Sequence, residues 1–575
     1  MERLILCFLL ILFLLPYSNQ SSNLKTNNSQ NTIDFYAYFK RIVNTDDNFV
    51  RIYKMEMSGD GNKIIFSGSD IHTDPAVYTI NSDGSELTKI PLPDEMGGIP
   101  ELTINYDGSK AYFYNTEFNR IYKVENGVCE RIFDVDNYDY VFSVCGGIET
   151  TADGLSVYFV EYQGDIWRIG SNGGIPGLII DDQIISRDKG FGAKISGFDI
   201  SDDGKNIVFK LLGYIDQDGW FQTKEELFVY SNGAIRQITN HLQHTLKESY
   251  AISGNGEIVV YNVAEPENKW YSINKDGSNQ IAIGDMGFNF GGMELTYNGK
   301  KSFYNDASSN GGRIVNCNSN GCLDLFDGWE KLIVSYAAQL DNAGNKVCFI
   351  SQYAAFPMKE AIYVGYLNNE ESTSWSPRIK DTNFDPDFMP KGNPEAAVKV
   401  ITEVRRDDDF GKLEFISGAT IIDGIINTSW ENTPIVWGIP FHDDGLYPDL
   451  MDNDELFTTY LTPGDKINDY EDVTIRVAAL DSFKNMVVAD FKLGIGAPVN
   501  VINYLTNDCF ILFQNYPNPF NPITTIKYQL PAKVKSETIP TGRQAVNVKL
   551  IVFDILGREV TTLVNQRQNP GNYEV

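Results

Sequence analysis

Short runs of alternating or continuous apolar residues recur along most of the chain, each bounded by a turn rich in Gly, Asp, Asn and Ser. Met57–Phe66 is the first clear case: a strand end, the turn Ser58–Gly61, then the apolar run Lys63–Phe66. The turn returns as Asn105–Gly108, Thr151–Gly154, Ser201–Gly204, Ser253–Gly256, Thr296–Gly299 and Asp341–Gly344, with final glycines 47, 46, 50, 52, 43 and 45 residues apart. Asp and Asn bond their own backbone in such turns, and Gly supplies positive φ without steric cost. The apolar runs that follow predict strands packed between neighbours.

A second signal lies inside most units. Ala76–Ile80 leads into Asn81–Gly84, Leu227–Tyr230 into Ser231–Gly233, Trp270–Ile273 into Asn274–Gly277, and Arg313–Asn316 into Asn318–Gly321. Asp-Gly or Asn-Gly between apolar runs is the strongest short hairpin signal. Each unit is therefore about four strands in roughly 45 residues, the period and content of a propeller blade. Seven units predict seven blades. The seventh lacks a last strand, because no closing hairpin follows Ala361–Tyr366. An open edge is an aggregation hazard, so a strand from Ile33–Tyr53 is expected to latch the ring.

The wording of the repeat resembles the TolB-like propeller family over about residues 33–369, with the family's Ser-Pro-Asp-Gly turn followed by Ile-x-Phe and Ile-Tyr strands. The proline is replaced in every unit, by Gly59, Tyr106, Ala152, Asp202, Gly254, Tyr297 and Asn342. The resemblance implies a fold rather than a function, since the matching residues build turns and strands.

A boundary rich in Pro, Asp and Asn follows near Ser374–Pro394. Residues 395–494 then carry six or seven further strand patterns without a helical run, predicting an immunoglobulin-like β-sandwich. Within them, Asp443, Asp444, Asp449, Asp452 and Asp454 crowd one loop that resembles the acidic loop of β-sandwich modules in secreted bacterial proteins. Clustered carboxylates repel unless a cation or hydrogen-bond donors offset them. Calcium takes six to eight oxygens, so a structural calcium loop and a solvated acidic loop are the two readings.

The last stretch, residues 509–575, closely resembles the type A C-terminal sorting domain of type IX secretion cargo. Tyr516–Pro522 reads Tyr-Pro-Asn-Pro-Phe-Asn-Pro, Val552–Val560 reads Val-Phe-Asp-Ile-Leu-Gly-Arg-Glu-Val, and Pro570–Tyr573 reads Pro-Gly-Asn-Tyr. The family continues with at least one more strand, whereas this chain stops at Val575, so the domain is expected to be truncated. The resemblance implies the type IX machinery as a partner. At the other end, Arg3 and the apolar core Leu4–Leu15 predict a signal peptide over residues 1–22, too short to span a bilayer. Together these predict passage through the periplasm to the outside or the outer cell surface, with no transmembrane segment.

Composition narrows the partners. In 575 residues, 47 Lys and Arg face 77 Asp and Glu, a formal charge of −30. That excludes nucleic acid and anionic membrane surfaces, which select basic patches. It suits a soluble extracellular protein, and one that meets cations. Cysteine use fits export: Cys317 and Cys322 flank a predicted hairpin turn, Cys129 and Cys145 bracket the step from blade two to blade three, and either disulfides or buried thiols follow.

The sequence contains no Gly-x-Ser-x-Gly elbow, His-Glu-x-x-His or phosphate-binding loop. Of His72, His241, His244 and His442, only His241 and His244 lie close in sequence. With Gln243 they are the raw material for the axial metal of the propeller-fold pectate-type lyases that resemble TolB. Two functions therefore stand: a secreted or surface binding protein with the sandwich as spacer, its partner an extracellular protein or a glycan, and a carbohydrate-active, metal-dependent propeller enzyme of lyase type. Carboxylates or His and Gln converging in the axial funnel would favour the enzyme. A funnel of Asn, Tyr and Trp without a perturbed pair would favour binding.

Overall fold

The computed structural model describes most of residues 33–405, most of 413–426, the segments 435–436, 456–463 and 471–496, and, beyond them, 511–512, 525–530, 546–553 and 559–575 apart from 570. The chain divides into two compact units, Asn31–Ile495 and a unit containing Gly496–Val575.

In the larger unit each turn motif heads four antiparallel strands, as separate four-stranded sheets for the first six and as part of a nine-stranded sheet for the seventh. Their first strands are Arg51–Met57, Glu101–Ile104, Val144–Thr150, Ala193–Ile200, Leu246–Ile252, Met293–Leu295 and Val334–Leu340. Each runs into its Gly turn. The seven turn glycines Gly61, Gly108, Gly154, Gly204, Gly256, Gly299 and Gly344 all have φ between 62° and 75°, a region closed to most side chains. In blade one the Ser58 hydroxyl accepts from the Asn62 and Lys63 amides at 3.2 and 3.0 Å, fixing the reversal into the second strand.

The turns are also hydrogen-bonded to one another, in a circle. The amides of Asp60, Tyr106, Ala152 and Asp202 donate to the carbonyls of Tyr106, Ala152, Asp202 and Gly254. Asn255 donates to Tyr297, Tyr297 to Asn342, and Asn342 back to Gly59, all at 2.8–3.1 Å. Seven blades thus close into a propeller, with the first strands around the axis.

The fourth strand of blade seven is Ile33–Asn44, which pairs antiparallel with Met358–Leu367. The N-terminal strand does a second thing that the spacing of the repeats does not announce. Its other edge pairs with Met486–Gly496, so the blade continues into the sheet that also holds Asp472–Asp481 and Leu413–Ile422. A second sheet, Arg378–Asp385, Val398–Arg405, Leu456–Pro463 and Ile435–Val436, completes a β-sandwich. Both faces of the shared strand are buried, one in each core. Phe35, Ala37 and Phe39 join the propeller cluster with Phe349 and Tyr363, whereas Tyr36 and Tyr38 join the sandwich cluster with Val400, Val477 and Phe491. The alternation is the period of two of an extended strand. The sandwich is therefore joined to blade seven through a shared strand.

One buried cation stands at this seam. Arg476 is fully buried and makes a two-pronged pair with Asp490, Nε to Oδ1 at 2.7 Å and Nη2 to Oδ2 at 2.9 Å. Its Nη1 donates to the carbonyls of Asp324 and Leu325 in blade six, at 2.6 and 3.0 Å, and the guanidinium lies 5.7 Å from the Phe35 ring centre.

In the second unit, Ile511–Leu512, Lys527–Leu530 and Gly571–Glu574 form one sheet and Val546–Phe553 with Glu559–Gln568 a hairpin. Tyr528, Leu530, Val548, Leu550 and Val564 make its core. No helix among the described residues is long and apolar enough to cross a membrane.

Candidate functional site

Reading the same register position in all seven blades exposes the chemistry of the axis. Two residues before each turn stand Glu56, Thr103, Glu149, Asp199, Ala251, Glu294 and Gln339. Four of the seven are carboxylates. They belong to blades one, three, four and six, on different sides of the ring, and each of Glu56, Glu149 and Glu294 feels Asp199 across it. These four residues are half-buried.

The layer is short of positive charge. Among the described residues, none of the four carboxylates forms an ion pair. Burial first, and the neighbouring Glu101 and Asp199 next, push Glu56 up to about 8, against the pull of Lys54 and a hydrogen bond with Gln339. Burial and then the other axial carboxylates push Glu149 and Glu294 well above the ordinary glutamate range. Burial also raises Asp199, but only to about 6, because its oxygens accept from the Ile252 amide at 2.8 Å and the Ile200 amide at 2.7 Å. Removal from water disfavours the charged form, and like charges add to the effect.

Two residues further from the turns, the axis opens into a cavity of about 570 Å³ spanning blades one to five. Lys54 and Glu101 form an ion pair of 2.9 Å on one wall. Lys210 and Glu225, 3.7 Å apart, stand on another, beside Tyr250 and Phe198. At the turn end, Asn342 Nδ2 donates to Asp202 Oδ2 at 2.9 Å, joining blades four and seven across the ring.

The predicted site residues cannot be placed against this layer. Asp443, Asp444, Asp449, Asp452 and Asp454 lie outside the described residues, as do His241, Gln243 and His244. Among the described residues, the one group whose ligand atoms gather within cation reach is Asp165, Asp181 and Asp182, mutually within 4.8 Å. Asp181 caps the helix Asp182–Lys189 by accepting from the Gln183 amide at 2.8 Å, and Asp165 accepts from the Asp182 amide at 2.9 Å. That gives two of the three a structural task. The possible Cys317–Cys322 disulfide is not formed. Cys317 keeps a buried thiol, which burial pushes up to about 12. The side chain of Cys145 lies outside the described residues.

The axial layer was within reach of the sequence. Its acidity emerges only when the units are aligned on their turns and read column by column. Searching for local motifs misses residues 43–52 positions apart.

No protein-family model and no curated protein matches the chain. Several solved structures are similar to it. An oligogalacturonate lyase from Vibrio parahaemolyticus is 13% identical, with 58% of this chain and 98% of that one covered and a TM-score of 0.42. An oligogalacturonate lyase in complex with manganese is 11% identical, with 59% and 96% covered and a TM-score of 0.44. TolB from Acinetobacter baumannii is 13% identical, with 58% and 67% covered and a TM-score of 0.30. The propeller assignment rests on the sheet topology and the closed circle of turn hydrogen bonds.

Proposed function

We propose that this chain is an exported binding protein whose propeller seats a ligand bearing a cationic group in the axial cavity. The observation that carries the reading is the carboxylate layer beneath that cavity, with Glu101 at its rim. An ammonium or guanidinium group reaching the layer would replace mutual repulsion by attraction, in surroundings where charges act strongly. Export is supported by the apolar leader and by the resemblance of the C-terminal unit to type IX sorting domains, with the type IX machinery as partner and the cell exterior as destination.

The test is calorimetric titration of the full chain with spermidine at about pH 6 and about pH 9, on either side of the range over which Glu56 ionises. Binding is expected to be tighter at the higher pH, and at the lower pH to release protons measurable by comparing buffers. An E101Q/E149Q variant should lose most of the affinity. Absence of heat at both pH values removes the reading.

A second reading, a carbohydrate-active enzyme of the metal-dependent lyase type, is favoured by the convergence of four carboxylates on the axis, the outcome expected of an enzyme, and by one of them in particular. Glu56 keeps its proton into the neutral range, as a general acid requires. Charge opposes a uronate substrate past the wall, where Lys54 and Lys210 offset Glu101 and Glu225, since a polyanion reaching the axial layer meets four carboxylates. Formation of unsaturated products from oligogalacturonate with added manganese would establish the enzyme. The same assay without turnover, beside spermidine binding, leaves the first reading.

A further inference from the structure

The opposite, turn end of the axis carries a second surface, independent of the cavity. At the position where the turn motif of the repeat varies most, Tyr106 and Tyr297 stand on blades two and six, 45% and 50% exposed. Each ring lies over the glycine of the preceding blade. A Cβ on Gly59 would come within 2.6 Å of Tyr106 Cδ2 and 3.2 Å of Asn342 Nδ2. A Cβ on Gly254 would come within 2.5 Å of Asp202 Oδ1 and 2.8 Å of Tyr297 Cδ2. Since Asn342 in turn donates to Asp202 at 2.9 Å, the six residues form one connected patch around the axis: Tyr106, Gly59, Asn342, Asp202, Gly254, Tyr297. The patch reads aromatic, glycine, amide, carboxylate, glycine, aromatic, with the glycines as notches that any side chain would fill.

We propose that this patch is a binding surface for a neutral oligosaccharide. Pyranose rings present apolar C–H faces and a dense rim of hydroxyls. The two exposed tyrosines offer flat surfaces for the former at low entropy cost. The central carboxylate and amide accept from and donate to the latter. The patch contains one carboxylate and no cation, so a sugar acid is selected against. The tyrosines hold their orientation because each is packed against backbone that has no side chain.

The experiment is a titration of the full chain with neutral hexasaccharides, of β-1,4-glucan, β-1,3-glucan, β-1,4-mannan and β-1,4-xylan, followed by calorimetry and by saturation-transfer NMR. At least one is expected to bind with a dissociation constant below about 1 mM, the weak end of specific recognition. Y106A and Y297A should each weaken it by up to about tenfold, the scale of one aromatic contact, and the double variant should abolish it. Y106F should bind like the parent. G59A should weaken binding by displacing the Tyr106 ring. Because both rings are half exposed, Y106A and Y297A should keep the parental unfolding temperature, which separates lost contact from lost fold. E101Q/E149Q should bind the same sugar unchanged, so failure of the cavity reading leaves this one standing, and the reverse. The proposal is overturned if no hexasaccharide binds, if binding survives in the double tyrosine variant, or if only a proline-rich peptide occupies the patch.

Discussion

The larger unit contains two sets of charges removed from bulk water, and they are treated oppositely. At the seam, Arg476 meets Asp490 through two hydrogen bonds, two backbone carbonyls take a further N–H, and an aromatic face covers the guanidinium. On the axis, Glu56, Glu149, Asp199 and Glu294 face one another without an ion pair among the described residues, and their proton affinities rise. A fully paired buried charge holds two elements in one arrangement. A set of unpaired ones stores repulsion that protons relieve in the free protein and that a cation can relieve better. The first pattern is structural; the second leaves a vacancy in the charge balance.

Breaking the seam gives the largest expected effect. Arg476→Met leaves Asp490 buried and uncompensated, and should cost about 3–5 kcal/mol of unfolding free energy in a denaturant titration. Because Ile33–Asn44 is hydrogen-bonded to both blade seven and the sandwich, hydrogen exchange in both should accelerate together. Loss of protection in the sandwich alone would show that the two fold separately. Replacing Asp490 by Leu in the same variant should restore most of the loss, since the penalty is the orphaned charge.

The axial layer predicts a smaller effect of the opposite sign. Glu56 has a folded pKa of about 8 against an ordinary value of 4.5. The folded state therefore holds a proton that the unfolded state gives up, so the stability contributed is present below the ordinary value and is lost as pH rises through about 8. Glu56→Gln cannot ionise. It should match the parent in melting temperature near pH 4.5 and exceed it above pH 8 by roughly 1–3 kcal/mol, a few degrees for a unit of this size. Added spermidine should shrink that gap by stabilising the parent. Equal pH profiles for the two proteins would mean that the axial carboxylates are already compensated, and the contrast with the seam would fail.

These two sites also mark where the sequence is readable. The blades were legible because their turns need Gly at fixed places and their strands are short and apolar. The missing strand of blade seven was legible because a ring cannot leave an edge open. What escaped was contact between distant segments. Tyr36-Ala37-Tyr38-Phe39 reads as an apolar run buried on both faces, but nothing in it says that the two faces belong to different cores. Arg476 and Asp490 sit in strands that look like any others, and their pairing becomes visible only with the register of those strands. The acidic layer is a column through the repeat, invisible along the row. The sandwich loop with Asp443 and its neighbours was conspicuous for the opposite reason, since its charges are adjacent in sequence, and it lies outside the described residues.

The smallest effect is the one that best sharpens the contrast. Lys54 stands at the cavity rim, 47% exposed in its side chain, paired with a Glu101 that is 37% exposed. An exposed pair of this kind contributes about 0–1 kcal/mol, so Lys54→Met should leave the unfolding free energy nearly unchanged. Its effect on binding should be larger and of the other sign. Lys54 is the cation that pulls on Glu56, and it competes with any cation entering the cavity. Removing it should tighten spermidine binding, by a factor that shrinks as salt screens the rim. If Lys54→Met instead weakens spermidine binding, the lysine must be ordering Glu101 as a ligand contact rather than competing for it. The rim would then behave like the seam, with a charge pair that positions, and the axial layer alone would supply the attraction.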